Sequence, residues 1–512
     1  MTTLSLQTLP ATRLDPADDV AIALRPLRAG QTITVAGERI TLQAAIPPGH
    51  KFALRAVAAG APVRRYGQVI GMATAPIAPG EQVHMQNLHV AALHLDYAVG
   101  ADVRPVAFAP ESERATFLGY RRADGRVGTR NIIAVATTVN CSAHTARRIA
   151  ARARAELLTR FPHVDNVVAL THGAGCGTRA GSAELDVLQA TIAGHVRHPN
   201  VAGAVIVGLG CEANQFADLI ARQSLDDSAP RFLGIQDEGG VAATVAQGLS
   251  ALEPLLAAAD SARREPIPAS ELVLALQCGG SDGFSGITAN PALGLAADWL
   301  VAQGGTVVLS ETPEIYGAEH LLTRRAAQPE VAAQLLERIR WWESYAAMHG
   351  FELDNNPTPG NKAGGLTTIH EKSLGAVAKA GSTPLNGVYR YAARIDRRGF
   401  VFMDTPGYDP VSVTGQVAGG CNLVAFTTGR GSCFGCAVAP SIKIATNSVT
   451  YECMRDDMDV NAGVVLDGMP LAAVGREIAD LLLAVASGQA SKSEAQGIGE
   501  EEFDPWILGA TL

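Results

Sequence analysis

The sequence predicts an α/β protein in which a small β-rich front module precedes two domains built on mainly parallel sheets. Three observations carry this reading. Turn signals recur at short intervals over the first hundred residues, apolar runs alternate with Ala-rich helical stretches after residue 115, and glycine is concentrated where those apolar runs end. At 512 residues with 47% hydrophobic and 18% charged residues, the chain is long enough for several domains and too apolar to be disordered.

In the front module the turns are Ala29-Gly30, Ala36-Gly37, Pro47-Pro48-Gly49, Ala59-Gly60 and Pro79-Gly80. Between them lie short runs, VAIAL, QTITV, KFAL and RRYGQVIG, of strand composition. This gives a β domain over 1–97. Residues 98–115, AVGADVRPVAFAPESERA, show neither helical nor strand period and contain Pro105 and Pro110, so they read as a linker.

From residue 116 the strand-like runs NIIAVAT, NVVAL and GAVIVG alternate with SAHTARRIAARARAELL, AELDVLQATIAGHV and NQFADLIARQ. That alternation predicts a Rossmann-like α/β domain over 116–265, its parallel sheet covered on both faces. DSARREPIP (260–268) breaks the pattern. It resumes with ELVLALQC, GTVVLSE, GFVFMD and NLVAFTTG, which predict a second such domain over 266–512.

Composition also excludes partners. With 41 basic and 50 acidic residues the net charge is −9, without the positive field that holds a nucleic-acid backbone. No apolar run in the sequence approaches a membrane span, and MTTLSLQTLPATRLDPADD has no basic then apolar leader pattern, so a cytoplasmic protein is expected. The eight cysteines are too sparse for a disulfide scaffold.

The glycine-rich segments are LTHGAGCG (170–177), GLGCE (208–212), QCGGSDGFSG (277–286) and TTGRGSCFGC (427–436). Ligands bind outside the carboxyl ends of strands in open α/β sheets, where glycine lets backbone approach closely. Glycine after a strand is also ordinary turn chemistry. Cys176, Cys211 and Cys278 each sit in one of these loops, and three thiolates can hold an iron or an iron-sulfur cluster with a position left for substrate. Equally, each is a small residue suited to burial. His172 and Glu212 add ligand or acid/base candidates. GLGCEA matches G-x-G-x-x-A, but Glu212 stands in the turn where a pyrophosphate would sit, so NAD is not expected. No G-x-x-x-x-G-K-[ST] element supports ATP. In the front module His50 and Lys51 follow a turn, and VHMQN offers His84 and Asn87; these residue types suit proton transfer. Cys433 and Cys436 form a C-x-x-C with no matching second pair.

Taken in order, GYRRADGRVGTRN, GCG, VGLGCE, QCGGSDGFSGITANPALG, SETPEIYGAEHLL, NPTPGNKAGG, TTGRG and SIKIATN make the chain resemble the altronate and galactarate dehydratases. IPPGHKFAL, RYGQVIG and GEQVHMQN resemble the SAF-type (β-clip) domain that precedes the catalytic part in that family. The resemblance implies removal of water from a sugar acid, with iron(II), replaceable by manganese, as the metal. VHMQN, PEIYGAEHLL and NKAGGLTTIHEKSLG are closer to altronate dehydratases, implying altronate to 2-keto-3-deoxygluconate. Galactarate dehydration, or loss of sulfite from a sulfolactate-like substrate, is the enzymatic alternative, and a non-catalytic ligand sensor the alternative of another class. TTGRGSCFGC stands where TGRGTPYG is the family pattern, so Cys433 and Cys436 are private to this chain.

On that resemblance the metal is assigned to Cys176, Cys211 and Cys278, with His172, Glu212 or Asp282 as a competing ligand set. His50, His84, His172 and Glu212 are the acid/base candidates, assuming the front module folds over the catalytic mouth as a lid. Lys51, Asn87, Ser281, Asp282, Lys362, Arg430 and Lys443 are the substrate-binding candidates, the cations because an acidic protein needs local positive charge to bind an anion. A small-molecule sugar acid is the expected partner, and a homodimer the expected assembly.

Overall fold

The computed structural model describes residues 9–225 and 230–509. Residues 1–8, part of the stretch read for a leader, and the terminus of the last predicted domain, 510–512, lie outside them. The front module is all β. Ala11–Thr12, Val20–Ala23, Lys51–Ala53 and Gln82–Val83 form one antiparallel sheet, Pro62–Arg65, Gln68–Ala73 and Leu88–His89 a second, and Thr32–Val35 with Glu38–Thr41 a hairpin. One small core holds Ala21, Ile33, Val35, Ile40, Leu42, Ile46 and Phe52, while Val20, Val63, Ile70, Val83 and Leu88 join the large buried cluster that continues into the rest of the chain. RRYGQVIG, read as one run, is two strands. Tyr66 (φ 61) and Gly67 (φ 70) both take left-handed backbone, the conformation of a two-residue hairpin turn whose twist suits the flanking strands.

The following segment is a strap rather than a free linker. Tyr97 Oη donates to Glu319 (2.7 Å), Gly100 N to Thr323 O (3.2 Å), Asp102 N to Arg324 O (2.8 Å) and Ala109 N to Ala302 O (2.8 Å). The chain then enters the second unit through Thr116–Arg121 and leaves it through Glu265–Pro268, which pair antiparallel as a neck.

Beyond the neck lies a four-stranded parallel sheet: β1 (Ile132–Thr137), β2 (Asn166–Leu170), β3 (Val201–Gly208) and β4 (Arg231–Gly234), in the order β2-β1-β3-β4. Every residue of β1 is buried, as a strand covered on both faces requires. Val241–Asp260 covers one face. Contrary to the expectation that no segment approaches a membrane span, this helix has the length and apolar composition of one. Its burial is one-sided, with Val245, Leu252 and Leu256 packed in the core shared with Ile133 and Val205, the pattern of a helix lying on a sheet.

The third unit carries a seven-stranded parallel sheet: β5 (Val273–Cys278), β6 (Thr306–Leu309), β7 (Leu385–Tyr389), β8 (Gly399–Met403), β9 (Leu423–Thr428), β10 (Ser441–Ala445) and β11 (Val460–Asn461). Their order is β7-β8-β6-β5-β9-β10-β11. The helices Ala289–Ala302 and Leu471–Ala486 pack together on one face. Across the other face the two parallel sheets share a helix layer, where Gly194 of Ala183–Val196 lies so close to Asp409–Ala418 that a Cβ on it would meet Ala418 O at 2.3 Å. One buried cluster runs through both units, from Leu170 and Ile192 to Val413 and Phe426.

Candidate functional site

The chain passes from β5 to β6 on one side and later places β9 on the other, so the loops after β5 and β9 diverge and leave a crevice at the carboxyl edge. The loop Gly279 to Gly283 forms its floor. A Cβ on Gly283 would meet Gly49 O at 2.0 Å, and one on Gly279 would meet Asp409 Oδ2 at 2.2 Å, so both positions exclude a side chain. Asp282 shapes this floor. Its carboxylate accepts from Phe284 N (3.0 Å), Ser285 Oγ (3.1 Å), Thr446 Oγ1 (3.0 Å) and Asn447 Nδ2 (3.1 Å). Burial nevertheless raises its pKa. Ser281 is buried beside it, with its carbonyl accepting from Asn361 Nδ2 (2.8 Å).

The front module supplies one wall. His50 Nε2 lies 3.2 Å from Ala363 O and Nδ1 3.0 Å from Gln82 Nε2, which makes Nε2–H the donor and Nδ1 the acceptor. The His84 ring is 4.9 Å from the His50 ring, centroid to centroid, and its buried Nδ1 has no hydrogen-bond partner. Burial, then the charges of Lys51 and His50, push His84 down to about 4; burial likewise lowers His50. Both are neutral at pH 7. Asn87 holds the His84 turn, accepting from His84 N (3.0 Å) and donating to Gln82 O (2.9 Å).

Beneath the pair is a fully buried ion triad. Lys51 Nζ and Arg65 Nη1 donate to the two oxygens of Glu371, at 2.9 and 2.5 Å, and none of the three side chains is exposed. Lys51 also donates to Gly365 O (2.9 Å) and Arg65 to Gly283 O (2.7 Å). Burial lowers Lys51 to about 8; burial alone would raise Glu371, but Lys51 and Arg65 outweigh it and hold the carboxyl at about 2. Lys51 therefore faces the catalytic unit rather than the crevice.

Lys362 lies in the last turn of the short helix Pro359–Ala363, which Thr358 caps, and Arg430 follows β9 with its backbone N–H on Gly280 O (2.8 Å). Lys362 is half-buried, Arg430 is exposed, and neither side chain pairs with a described residue. Lys443 differs. It lies within β10, wholly buried, with Nζ 4.0 Å from Asp457 and no hydrogen bond.

On the other side of the floor is a buried polar cluster that reading the sequence missed apart from Cys278. Cys278 Sγ lies 3.4 Å from Glu314 Oε2 and 3.7 Å from Glu311 Oε2. Lys379 bonds Glu311 (3.0 Å), and Lys372 bonds Glu314 (2.6 Å) and Asn356 Oδ1 (2.7 Å). Glu311 is held at φ 66, a left-handed conformation that disfavours a side chain. Burial pushes Glu311 upward against the pull of Lys379, and raises Asp409, beside Glu314, to about 7. For Glu314 burial acts upward too, but Lys372 and Lys379 prevail and lower it. Glu311 and Glu314 belong to SETPEIYG and Lys372 to HEKSLG. The available signal was charge at the end of a buried strand and inside a buried helix.

Among the described residues, Cys278, Glu311 and Glu314 are the group whose ligand atoms lie within 4.8 Å of one another; no such group of three includes Cys176 or Cys211. Those two thiols are exposed on loops of the four-stranded sheet. Near them, Glu212 folds back to accept from Thr138 Oγ1 (2.7 Å), Leu209 N (3.1 Å) and Gly210 N (2.6 Å), so it occupies the amides of its own turn. His172 donates from Nε2 to Thr137 O (3.0 Å) and accepts Ala174 N (3.2 Å) at Nδ1, and burial pushes it down to about 4.

Three family models match successive parts of the chain: the altronate/galactarate dehydratase SAF domain over 10–91, the second domain of D-galactarate dehydratase/altronate hydrolase over 119–260, and the C-terminal part of D-galactarate/altronate dehydratase over 269–511. An altronate dehydratase of Bacillus subtilis (strain 168) is 36% identical over 492 residues, 95% of this chain and 97% of that protein. The galactarate dehydratase (L-threo-forming) of Escherichia coli (strain K12) is 37% identical over 487 residues, 93% of this chain and 92% of that protein. The (2R)-sulfolactate sulfo-lyase subunit beta of Chromohalobacter salexigens is 31% identical over 397 residues, 77% of this chain and 97% of that subunit.

Proposed function

This chain belongs to the D-galactarate/altronate dehydratase family and is a sugar-acid hydro-lyase, and on that premise we propose that its substrate is an aldonate, D-altronate, converted to 2-keto-3-deoxy-D-gluconate. The observation that carries the site is the meeting, over one glycine floor, of a neutral histidine pair from the front module with two unpaired cations from the catalytic unit. The aldonate reading rests on VHMQN, PEIYGAEHLL and NKAGGLTTIHEKSLG.

Elimination must take a weakly acidic proton beside a carboxylate and expel hydroxide. Lys362 and Arg430 bind the carboxylate and orient C2 toward the module. His84, neutral at pH 7 and with one ring nitrogen free of partners, takes the C2 proton. His84 returns that proton to the departing C3 hydroxyl, so water leaves, no net proton is consumed, and the enol tautomerises to the 2-keto acid. His50, with both nitrogens already bonded, orients its neighbour.

The metal implied by the family fits Cys278, Glu311 and Glu314. Burial and the neighbouring carboxylates raise the Cys278 thiol, so it would join the set on giving up its proton to a bound cation; a thiolate with two carboxylates is a donor set for iron(II) or manganese(II), and the three ligand atoms are already gathered. When bound there, such an ion would supply positive charge for the enolate-like carboxylate and the leaving hydroxide. Lys372 and Lys379 balance the carboxylates of this set. Keto-acid formation from altronate and from galactarate, measured anaerobically with iron, tests the reading: turnover of altronate at least about tenfold above galactarate is expected, and the reverse order rejects it.

A further inference from the structure

The front module is seated on one buried carboxylate, that of Glu371. Glu371 lies on the helix Ile369–Ala376, whose N-cap Thr368 also donates to Ile70 O of the module. Among the described residues its carboxylate is the ion-pair partner of two fully buried module cations, Lys51 and Arg65, and it also accepts Thr367 N (2.8 Å) and Thr367 Oγ1 (2.6 Å). Lys51 is the direct neighbour of His50. Backbone meets backbone around it: Gly49 O faces Gly283 and Gly365 so closely that a Cβ on either would stand 2.0 or 2.4 Å away. The next residue on the helix, Lys372, turns the other way to Glu314 and Asn356. One helix thus carries consecutive side chains to the two halves of the crevice.

We propose that Glu371 is a positioning residue for the dehydration: it locks the front module onto the catalytic sheet as a fixed wall, not a lid, and so holds His50 and His84 over the glycine floor. The module cannot swing away as a rigid flap without stranding two buried cations and an anion out of reach of one another, a separation that burial makes costly. This inference rests on the histidine pair being the proton-transfer pair.

The test uses the full chain with Glu371→Gln, Glu371→Asp and Lys51→Met, reading amide hydrogen exchange over residues 49–53 and 363–367 alongside kcat and KM for altronate. For E371Q, exchange in both segments is expected to rise about tenfold or more. Its kcat per folded molecule is expected to fall about 100-fold while KM moves less than about threefold, because misaligned histidines lose proton transfer and not carboxylate binding. E371D, which keeps the charge, is expected to recover part of kcat. A kcat for folded E371Q within about threefold of the parent, or unchanged exchange at 49–53, overturns the proposal. Should E371Q fail to fold, K51M keeps the Arg65–Glu371 pair and decides the matter: about a tenfold loss of kcat with faster exchange is expected, and unchanged kcat overturns the proposal. The exchange measurement needs no substrate, so an enzyme inactive on altronate rejects the substrate assignment while the seating of the module is still judged.

Discussion

The two parallel sheets end in the same kind of sequence, a strand followed by glycine and cysteine, yet their carboxyl edges do different things. After β3, Glu212 spends its oxygens on its own turn and on Thr138 of the adjoining loop, and, after β2, His172 is bonded on both nitrogens to backbone. After β5, β6 and β9 the polar groups face other elements: Cys278 meets Glu311 and Glu314, Lys362 stays uncommitted within reach of the His84 charge, and Arg430 stays uncommitted beside Gly280 of the floor. A glycine-rich strand end marks where a ligand could come close. Whether its polar side chains are left free to act is decided by what the rest of the chain brings opposite.

The largest effect that would sharpen this contrast is on turnover. His84→Ala is expected to lower kcat by 10²- to 10⁴-fold, the usual worth of a positioned acid/base group, whereas His172→Gln leaves kcat per folded molecule within about threefold. Equal losses would break the contrast. Next is metal content. Cys278→Ser is expected to lose most of the bound iron or manganese when assayed by elemental analysis, with Cys176→Ser and Cys211→Ser retaining it; loss in all three restores a three-thiolate site. Arg430→Met is expected to raise KM for altronate about tenfold with kcat little changed.

Smaller again is an acid effect on stability. Burial holds His172 and His195 at about 4 and His198 at about 3, against 6.5 for an ordinary histidine. The unfolded chain therefore binds more protons between pH 6.5 and 4, so stability is complete above about 6.5 and falls as pH drops, by up to about 3 kcal/mol for each of His172 and His195. Glu371 acts lower, losing its contribution only as pH falls from about 4.5 towards 2. Urea midpoints at pH 7, 5.5 and 4.5 should decline, and His195→Gln should flatten the trend. The smallest effect is expected at the private C-x-x-C: Cys433→Ser and Cys436→Ala should change kcat less than twofold.

Much of the fold was legible because its strands are sheathed on both faces and therefore read as unbroken apolar runs, NIIAVAT for β1 and ELVLALQC for β5. The crevice was partly legible. His50, His84, Lys362 and Arg430 stand around it, placed by glycine turns and caps that leave a local trace. Glu371 left none, since its meaning comes from Lys51 and Arg65, more than three hundred residues earlier in the chain. Glu311 and Glu314 lay inside a segment recognisable as a family string without any hint that they share a buried thiol. Lys443, a lone cation near a strand end in the sequence, proves to be enclosed in the sheet beside Asp457.

The strap from Tyr97 to Ala109 is tied along the catalytic unit at four points before the neck begins. A chain fastened at that spacing confines the small β domain to a short tether, and tethering acts as a standing supply of one reactant at millimolar strength. Assembly of the crevice is thereby made independent of how dilute the protein is, which a two-chain arrangement with the same contact surface could match only through higher affinity.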